Sequence, residues 1–113
     1  MYFLHKNQIQ RHANSPTCIA DEYPLGDPDI NGAVVELSGR YPEQERVTNT
    51  QCKELAYVIK GSGKVVVEGK EIILNQGDLV LILAGEKYYW DGHMTLFIAC
   101  TPAWHPAQHK KVI

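Results

Sequence analysis

The sequence has 113 residues, a hydrophobic share of 44% and a formal net charge of -2 at neutral pH. This length and composition predict one domain with a single core and exclude a disordered chain. Charges are scattered, without an electrostatic footprint for nucleic acid or an anionic membrane, and the longest apolar run, 79–84, is too short to cross a bilayer. We therefore expect neither nucleic acid nor a membrane among the partners.

Three cysteines, Cys18, Cys52 and Cys100, make an odd count in a chain that can build a full core. A disulfide scaffold would have an even count in a smaller domain, and no Cys-x-x-Cys motif or zinc-like cluster is present. The N-terminal residues turn polar after four positions and do not read as a signal peptide. These features predict reduced thiols and a cytoplasmic location.

The first half of the chain predicts a polar arm, a strand and a long loop. Residues 1–29 form an N-terminal arm with one or two short strands, of which 18–23 is the weakly alternating candidate, before a Pro/Gly/Asp-rich loop. Residues 30–38 predict the first good strand, with Val35 and Leu37 on one face and Glu36 on the other. The polar segment 39–50 has no periodicity, and loops of this length are often functional.

The second half alternates short apolar segments with Gly or Asp turns. Strands are predicted at 51–60, 64–68, 71–74, 79–83 and 94–100, with 79–83 buried on both faces. The turns are predicted at Gly61–Gly63, Glu68–Gly69, Asn75–Asp78, Gly85–Glu86 and Asp91–Gly92. Prolines at 102 and 106 exclude a continuing central strand, and Pro106 fits the start of a short helical turn.

No stretch of ten residues has good helical periodicity. Short strands separated by Gly and Asp turns predict an all-β fold with little helix, an antiparallel sandwich or barrel. We assign the barrel to residues 30–104 and a C-terminal tail to 105–113.

The spacing of one glutamate, three glycines and one tyrosine carries a family resemblance. Gly61 follows Glu54 by seven positions, Gly85 follows Gly77 by eight, and Tyr88 comes three later. This pattern resembles the two motifs of the cupin family, small antiparallel jelly-roll β-barrels built from a double sheet, over about residues 30–100. The resemblance implies a β-barrel with a cavity.

Metal-binding cupins hold one ion with two histidines and a glutamate of the first motif and one histidine of the second. This chain keeps only the glutamate, Glu54, and has Tyr88 at the second-motif histidine position. The first-motif histidine positions fall on Thr48 and Thr50, or on Val47 and Asn49. The resemblance therefore implies that no cofactor is held by standard ligands.

A rebuilt metal site is the alternative. Cys52 and Glu54 share a strand face by alternation, so we expect Cys52 to point inward beside Glu54. Cys52, Glu54, Tyr88 and one histidine from elsewhere would then hold a divalent transition metal.

Glu54 is the main candidate for chemistry. Inside a barrel its carboxyl would be paired or would have a raised pKa, as suits a general acid/base or an anchor for a polar ligand. Alternatively it is a relic carboxylate, satisfied by Tyr88 or by Arg40 or Arg46 of the 39–50 loop.

Tyr88 and Trp90 are two residues apart, so a strand places both on the same face. Both are therefore expected to line a pocket for a small, partly apolar ligand. The candidate ligand-binding residues are Cys52, Glu54, Tyr88, Trp90 and Arg40, and the candidate catalytic residues are Glu54 and Tyr88. The alternatives are that Cys52 is a small buried apolar side chain and that the aromatic residues only fill the core.

Leu55, Tyr57 and Ile59 form the other face of the Glu54 strand, and an apolar outer face needs a cover. The N-terminal segment of the same chain or of a partner could supply it, and we expect a homodimer. Trp104 is predicted to plug a barrel end or a subunit contact, while the i, i+4 pair His105 and His109 has no supporting motif.

Two functions remain open from the sequence. The first is a small-molecule binding module around Glu54 and Tyr88. The second is a small enzyme, with isomerase- or epimerase-like acid–base chemistry at Glu54 or with a non-standard metal. A structural dimer without a ligand is the third reading.

Overall fold

The computed structural model describes all residues from Met1 to Ile113. The strands are β1 Gln10–Ser15, β2 Cys18–Tyr23, β3 Asn31–Ser38, β4 Arg46–Asn49, β5 Lys53–Val67, β6 Lys70–Asn75, β7 Leu79–Ile82, β8 Lys87–Thr101 and β9 His109–Val112. The only helices are two single 3-10 turns, Lys6–Gln8 and Pro106–Gln108. All strand pairs are antiparallel, which confirms the predicted all-β class with little helix.

The nine strands are connected in one curled sheet with two halves that share β5 and β8. One half has the order β1-β2-β3-β8-β5-β7, and the other has the order β9-β4-β8-β5-β6. Because β5 and β8 pair along almost their whole length, they carry the chain from one half into the other. Inward side chains of both halves form the core, which includes Val35, Val58, Val65 and Leu96.

Two predicted turns, at Gly61–Gly63 and at Asp91–Gly92, are wrong because β5 and β8 continue through them as 15-residue strands. The register of β5 against β8 shifts between Val58 and Lys60, and Gly63 then lies opposite Gly92. A Cβ atom on Gly92 would lie 2.5 Å from the Cα of Gly63. Glycine here permits the close approach of two strands at a bend.

The sequence did not predict two of the strands, β4 and β9. β4 lies inside the 39–50 segment, which was expected to be a loop throughout, and β9 lies in the C-terminal tail. They pair with each other, and β4 also pairs with β8 at Val47 and Thr48. Neither has an alternating sequence pattern, so only these long-range pairings define them as strands. The short helical turn predicted at Pro106 is confirmed.

An outer apolar face is formed by Leu55, Tyr57, Leu79, Leu81 and Phe97 on β5, β7 and β8. These five side chains are between 41% and 60% exposed, so the prediction that 79–83 is buried on both faces is wrong for the single chain. Phe3 and Leu4 of the N-terminal segment line a pocket with Phe97 at one edge of this face, but all five side chains of the face stay at least 41% exposed.

No helix in the chain combines the length and apolar character needed to span a membrane.

We predict that Gly63→Ala destabilises the fold by about 2–4 kcal/mol, because the new methyl group would collide with the backbone oxygen of Asp91. Gly69→Ala is the matched control. Gly69 has a φ of +79° and no atom within 4 Å of a built Cβ, so only backbone strain of about 1–2 kcal/mol is expected. Urea unfolding measures both, and a loss for Gly69→Ala at least as large as that for Gly63→Ala would contradict the close-approach argument.

Candidate functional site

A cavity of about 340 Å³ opens in the barrel interior. The β1–β2 hairpin contributes polar side chains to its lining, among them Gln10, His12 and Glu22. The rest of the lining is largely aromatic and apolar; its aromatic members near Glu54 are Tyr41, Tyr88, Trp90 and Trp104. Such a mixture suits a small ligand with an apolar, planar part and a hydroxylated part.

Glu54 lines this cavity and is only 6% exposed. Its Oε1 accepts hydrogen bonds from Asn49 Nδ2 at 2.7 Å and from the Tyr88 hydroxyl at 3.1 Å. Its Oε2 has no hydrogen-bond partner. Burial raises the pKa of the Glu54 carboxyl, and the two hydrogen bonds oppose that rise. The Glu54 carboxyl can therefore either keep a proton on Oε2 or accept one at this atom.

Asn49 joins Glu54 to the far end of the chain. Its Nδ2 also donates to the Tyr88 hydroxyl oxygen at 3.2 Å. Its Oδ1 accepts from the Trp104 indole Nε1 at 3.1 Å and lies 2.8 Å from Nδ1 of His109. The amide, which is 3% exposed, therefore uses both of its donors and both of its acceptor positions.

His109 connects this amide to a second hydroxyl at the cavity. Its Nε2 lies 2.9 Å from the Tyr41 hydroxyl, and the planes of the two rings are nearly parallel, at 6°. Burial lowers the pKa of His109, and burial together with nearby acidic groups raises the pKa of Tyr41. Both groups are therefore neutral in the resting site at neutral pH.

The structure brings three of the candidate site residues together. Glu54, Tyr88 and Trp90 all line the cavity, and the rings of Tyr88 and Trp90 meet edge to face at 6.3 Å. Burial and the negative charge of Glu54 hold the pKa of Tyr88 well above its usual value, so its hydroxyl is a hydrogen-bond donor.

Arg40 and Cys52 lie elsewhere. The Arg40 guanidinium stacks 3.8 Å above the ring of Tyr89, on the outer side of β8, and donates to two backbone oxygens of its own loop. It neither lines the cavity nor pairs with Glu54.

Cys52 is buried, but its Sγ accepts from Gln108 Nε2 at 3.0 Å, and it is not among the residues that line the cavity. The thiol of Cys100 lowers the pKa of Cys52 by hydrogen bonding, and the same bond raises the pKa of Cys100.

The residues around Glu54 do not fit a transition metal. The family positions that would carry imidazoles present a phenol and an amide NH2 group, and the amide nitrogen is not a metal ligand. In the alternative set, the Cys52 thiol accepts a hydrogen bond from Gln108 and does not line the cavity with Glu54 and Tyr88. No cluster of three or more His, Cys, Asp or Glu side chains is arranged to hold an ion.

The sequence did not single out Tyr41, Asn49, Trp104 or His109 as partners of Glu54. Asn49 alone had a signal, since it occupies one of the two alternative alignments of the first-motif histidines. Trp104 and His109 belong to the C-terminal part of the chain, and β9 places His109 directly opposite Asn49. His12 is exposed and also lines the cavity.

Comparisons with known proteins agree on the fold. The family model described as "Cupin domain" matches residues 34–96. A variant of Streptomyces PAC13 with uridine superimposes with a TM-score of 0.89 at 17% identity, covering 100% of this chain and 92% of that chain. Another Pac13 structure, described as a unique nucleoside dehydratase, has a TM-score of 0.88 at 17% identity over 99% of this chain and 91% of that one.

Larger proteins contain the same barrel. Oxalate decarboxylase from Bacillus subtilis has a TM-score of 0.80 at 15% identity, covering 96% of this chain and 31% of that chain. A comparison with curated proteins gives no match. The family match and these neighbours confirm the predicted resemblance, and at these identities the structural likeness establishes the fold alone.

We predict that Glu54→Gln gains stability relative to the wild type as the pH rises. Because the folded pKa of Glu54 lies above its ordinary value of 4.5, the folded protein keeps a proton that the unfolded chain releases between these two values. The stabilising effect of this carboxyl is complete below pH 4.5 and is lost as the pH rises through the folded pKa.

Between pH 4.5 and the folded pKa of Glu54, the free energy of unfolding of the variant should rise over that of the wild type by up to about 1.4 kcal/mol per pH unit. Urea unfolding of both proteins between about pH 4 and pH 8 measures the difference. Parallel stability curves would mean that the folded pKa of Glu54 is not raised.

Proposed function

This chain belongs to the cupin family, and we propose that its barrel binds a small, partly apolar molecule in the cavity around Glu54 and Tyr88. The observation that carries the proposal is the unpartnered Oε2 of Glu54, a buried polar atom on a residue that lines a cavity with apolar and aromatic walls. A buried carboxylate oxygen without a partner is costly to keep, and a ligand hydroxyl or amide would satisfy it. The volume of about 340 Å³ is near the lower end for ligand pockets, which favours a compact ligand.

Acid–base catalysis at the same carboxyl is the second candidate. Burial raises the pKa of the Glu54 carboxyl, as suits a general acid/base, and its Oε2 is free to hold or take a proton while Asn49 and Tyr88 hold Oε1. We propose nucleosides as the first ligand class to test. Support comes from the aromatic lining, which suits a planar base, and from the described activity of Pac13.

We expect uridine to raise the melting temperature of the wild type and of Glu43→Gln, an exposed control. Glu54→Gln should bind it at least about tenfold more weakly, because the carboxamide places an NH2 group where Oε2 is, and an NH2 group cannot accept a hydrogen bond. Thermal shift followed by isothermal titration calorimetry measures this, first with uridine and then with other nucleosides. Equal affinity of Glu54→Gln and the wild type for any bound nucleoside would remove Glu54 from the site, and no binding by any of them would reject this ligand class.

We also propose a homodimer that buries the outer apolar face against the same face of a second copy. Support comes from the cross-strand contacts of the face, in which Leu55 lies opposite Leu81 and Tyr57 lies between Leu79 and Phe97. An exposed, contiguous apolar patch on a sheet is typical of a subunit contact.

We expect Leu81→Lys to shift the protein from dimer to monomer in sedimentation velocity at micromolar concentration. Ile73→Lys on β6 is the control, since Ile73 is also exposed, at 62%, but lies outside this face. A monomeric wild type, or an equal shift in both variants, would contradict the proposed interface.

We further propose a reducing, cytoplasmic location. The support is that Cys18, Cys52 and Cys100 are all free and buried. Burial also raises the pKa of Cys18 to about 11, so its thiol stays protonated.

A further inference from the structure

A chain of hydrogen bonds runs from Glu54 through Asn49 and His109 to Tyr41. The four side chains come from β5, β4, β9 and the loop before β4, so the chain exists only in the folded barrel. Glu54, His109 and Tyr41 also line the cavity. A ligand there would meet acid–base groups at both ends of this chain.

The direction of these hydrogen bonds is fixed by Trp104. An indole N–H can only donate, so the Asn49 atom that it contacts must be the amide oxygen, Oδ1. The amide nitrogen therefore faces Glu54 and Tyr88, where two acceptor oxygens lie. Since Oδ1 accepts, His109 must carry its proton on Nδ1, and its Nε2 has a free electron pair. The Tyr41 hydroxyl donates to that electron pair.

We propose that His109 is the half-buried base of a second acid–base position in this site and acts on the ligand through the Tyr41 hydroxyl. This inference rests on the proposed binding function. Tyr41 would be the catalytic group, because it would touch the ligand, and His109 and Asn49 would be positioning residues.

The proton movement is balanced within the site. A ligand hydroxyl gives its proton to the Tyr41 oxygen while the Tyr41 proton moves to Nε2 of His109, and the ligand oxygen keeps the electron pair. The product is an imidazolium with protons on both nitrogens. The groups packed around this imidazole are Tyr41, Asn49 and Trp104, none of which is charged. An ionised Glu54, one amide away, is the compensating charge, so loss of the Glu54 proton and gain of the His109 proton favour each other.

The tautomer of His109 tests the first half of the proposal without any ligand. NMR of protein labelled with 15N-histidine resolves the five imidazoles, and the spectrum of His109→Gln identifies the one at position 109. We expect a neutral ring with the proton on Nδ1, and an unchanged tautomer in Tyr41→Phe. Trp104→Phe, which removes the indole N–H together with the five-membered ring and keeps an aromatic ring, should fold and should loosen the fixed Nδ1–H state. A wild-type ring protonated on Nε2 would overturn the proposal.

Uridine affinity tests the second half. We expect Tyr41→Phe and His109→Gln each to weaken binding by at least about tenfold, and Tyr89→Phe, on the outer side of β8, to bind like the wild type. Wild-type-like affinity in Tyr41→Phe, together with a loss of affinity in Glu54→Gln, would reject the relay, that is, the proton transfer from the ligand through Tyr41 to His109. The binding site around Glu54 would remain supported. If uridine binds neither the wild type nor any variant, the nucleoside proposal fails and the tautomer of His109 alone decides on the relay. A proton on Nδ1 then supports the relay, and a proton on Nε2 rejects the relay.

Discussion

The side-chain amide of Asn49 is the interaction on which the site depends. One end of the amide holds the Glu54 carboxyl and the Tyr88 hydroxyl, and the other end holds Trp104 and His109. Each of these partners is buried or half-buried, so removal of the amide would leave several polar atoms unsatisfied at once. The amide thereby links both long strands, β5 and β8, to the tail of the chain.

The centre of this arrangement is an amide. In metal-binding cupins a cation gathers the ligands around one point, and here an amide gathers an acid, a phenol, an indole and an imidazole. A cation attracts electron pairs only, whereas an amide has a donating and an accepting end. The amide can therefore hold a carboxyl and an imidazole at fixed positions without requiring both to be deprotonated ligands.

The barrel and its inward residues were predictable because a strand has a period of two. Alternation placed Tyr88 and Trp90 on the same face, and the same rule placed Val35 and Leu37 in the core. The bends at Gly63 and Gly92 were not predictable, since a glycine that permits close approach and one that makes a turn look alike in sequence. The contact of Tyr41 with His109 spans 68 residues, and no local pattern carries such a contact.

The β1–β2 hairpin has a different relation to the site from the other strands. It contributes Gln10, His12 and Glu22 to the cavity lining, yet it joins the sheet only through β3 and none of these three side chains belongs to the hydrogen-bond chain of Asn49. Under the proposed binding function, substitutions in this hairpin would change which molecule the cavity admits while the proton-handling groups stay in place. Recognition and acid–base chemistry would then belong to separate parts of one small barrel.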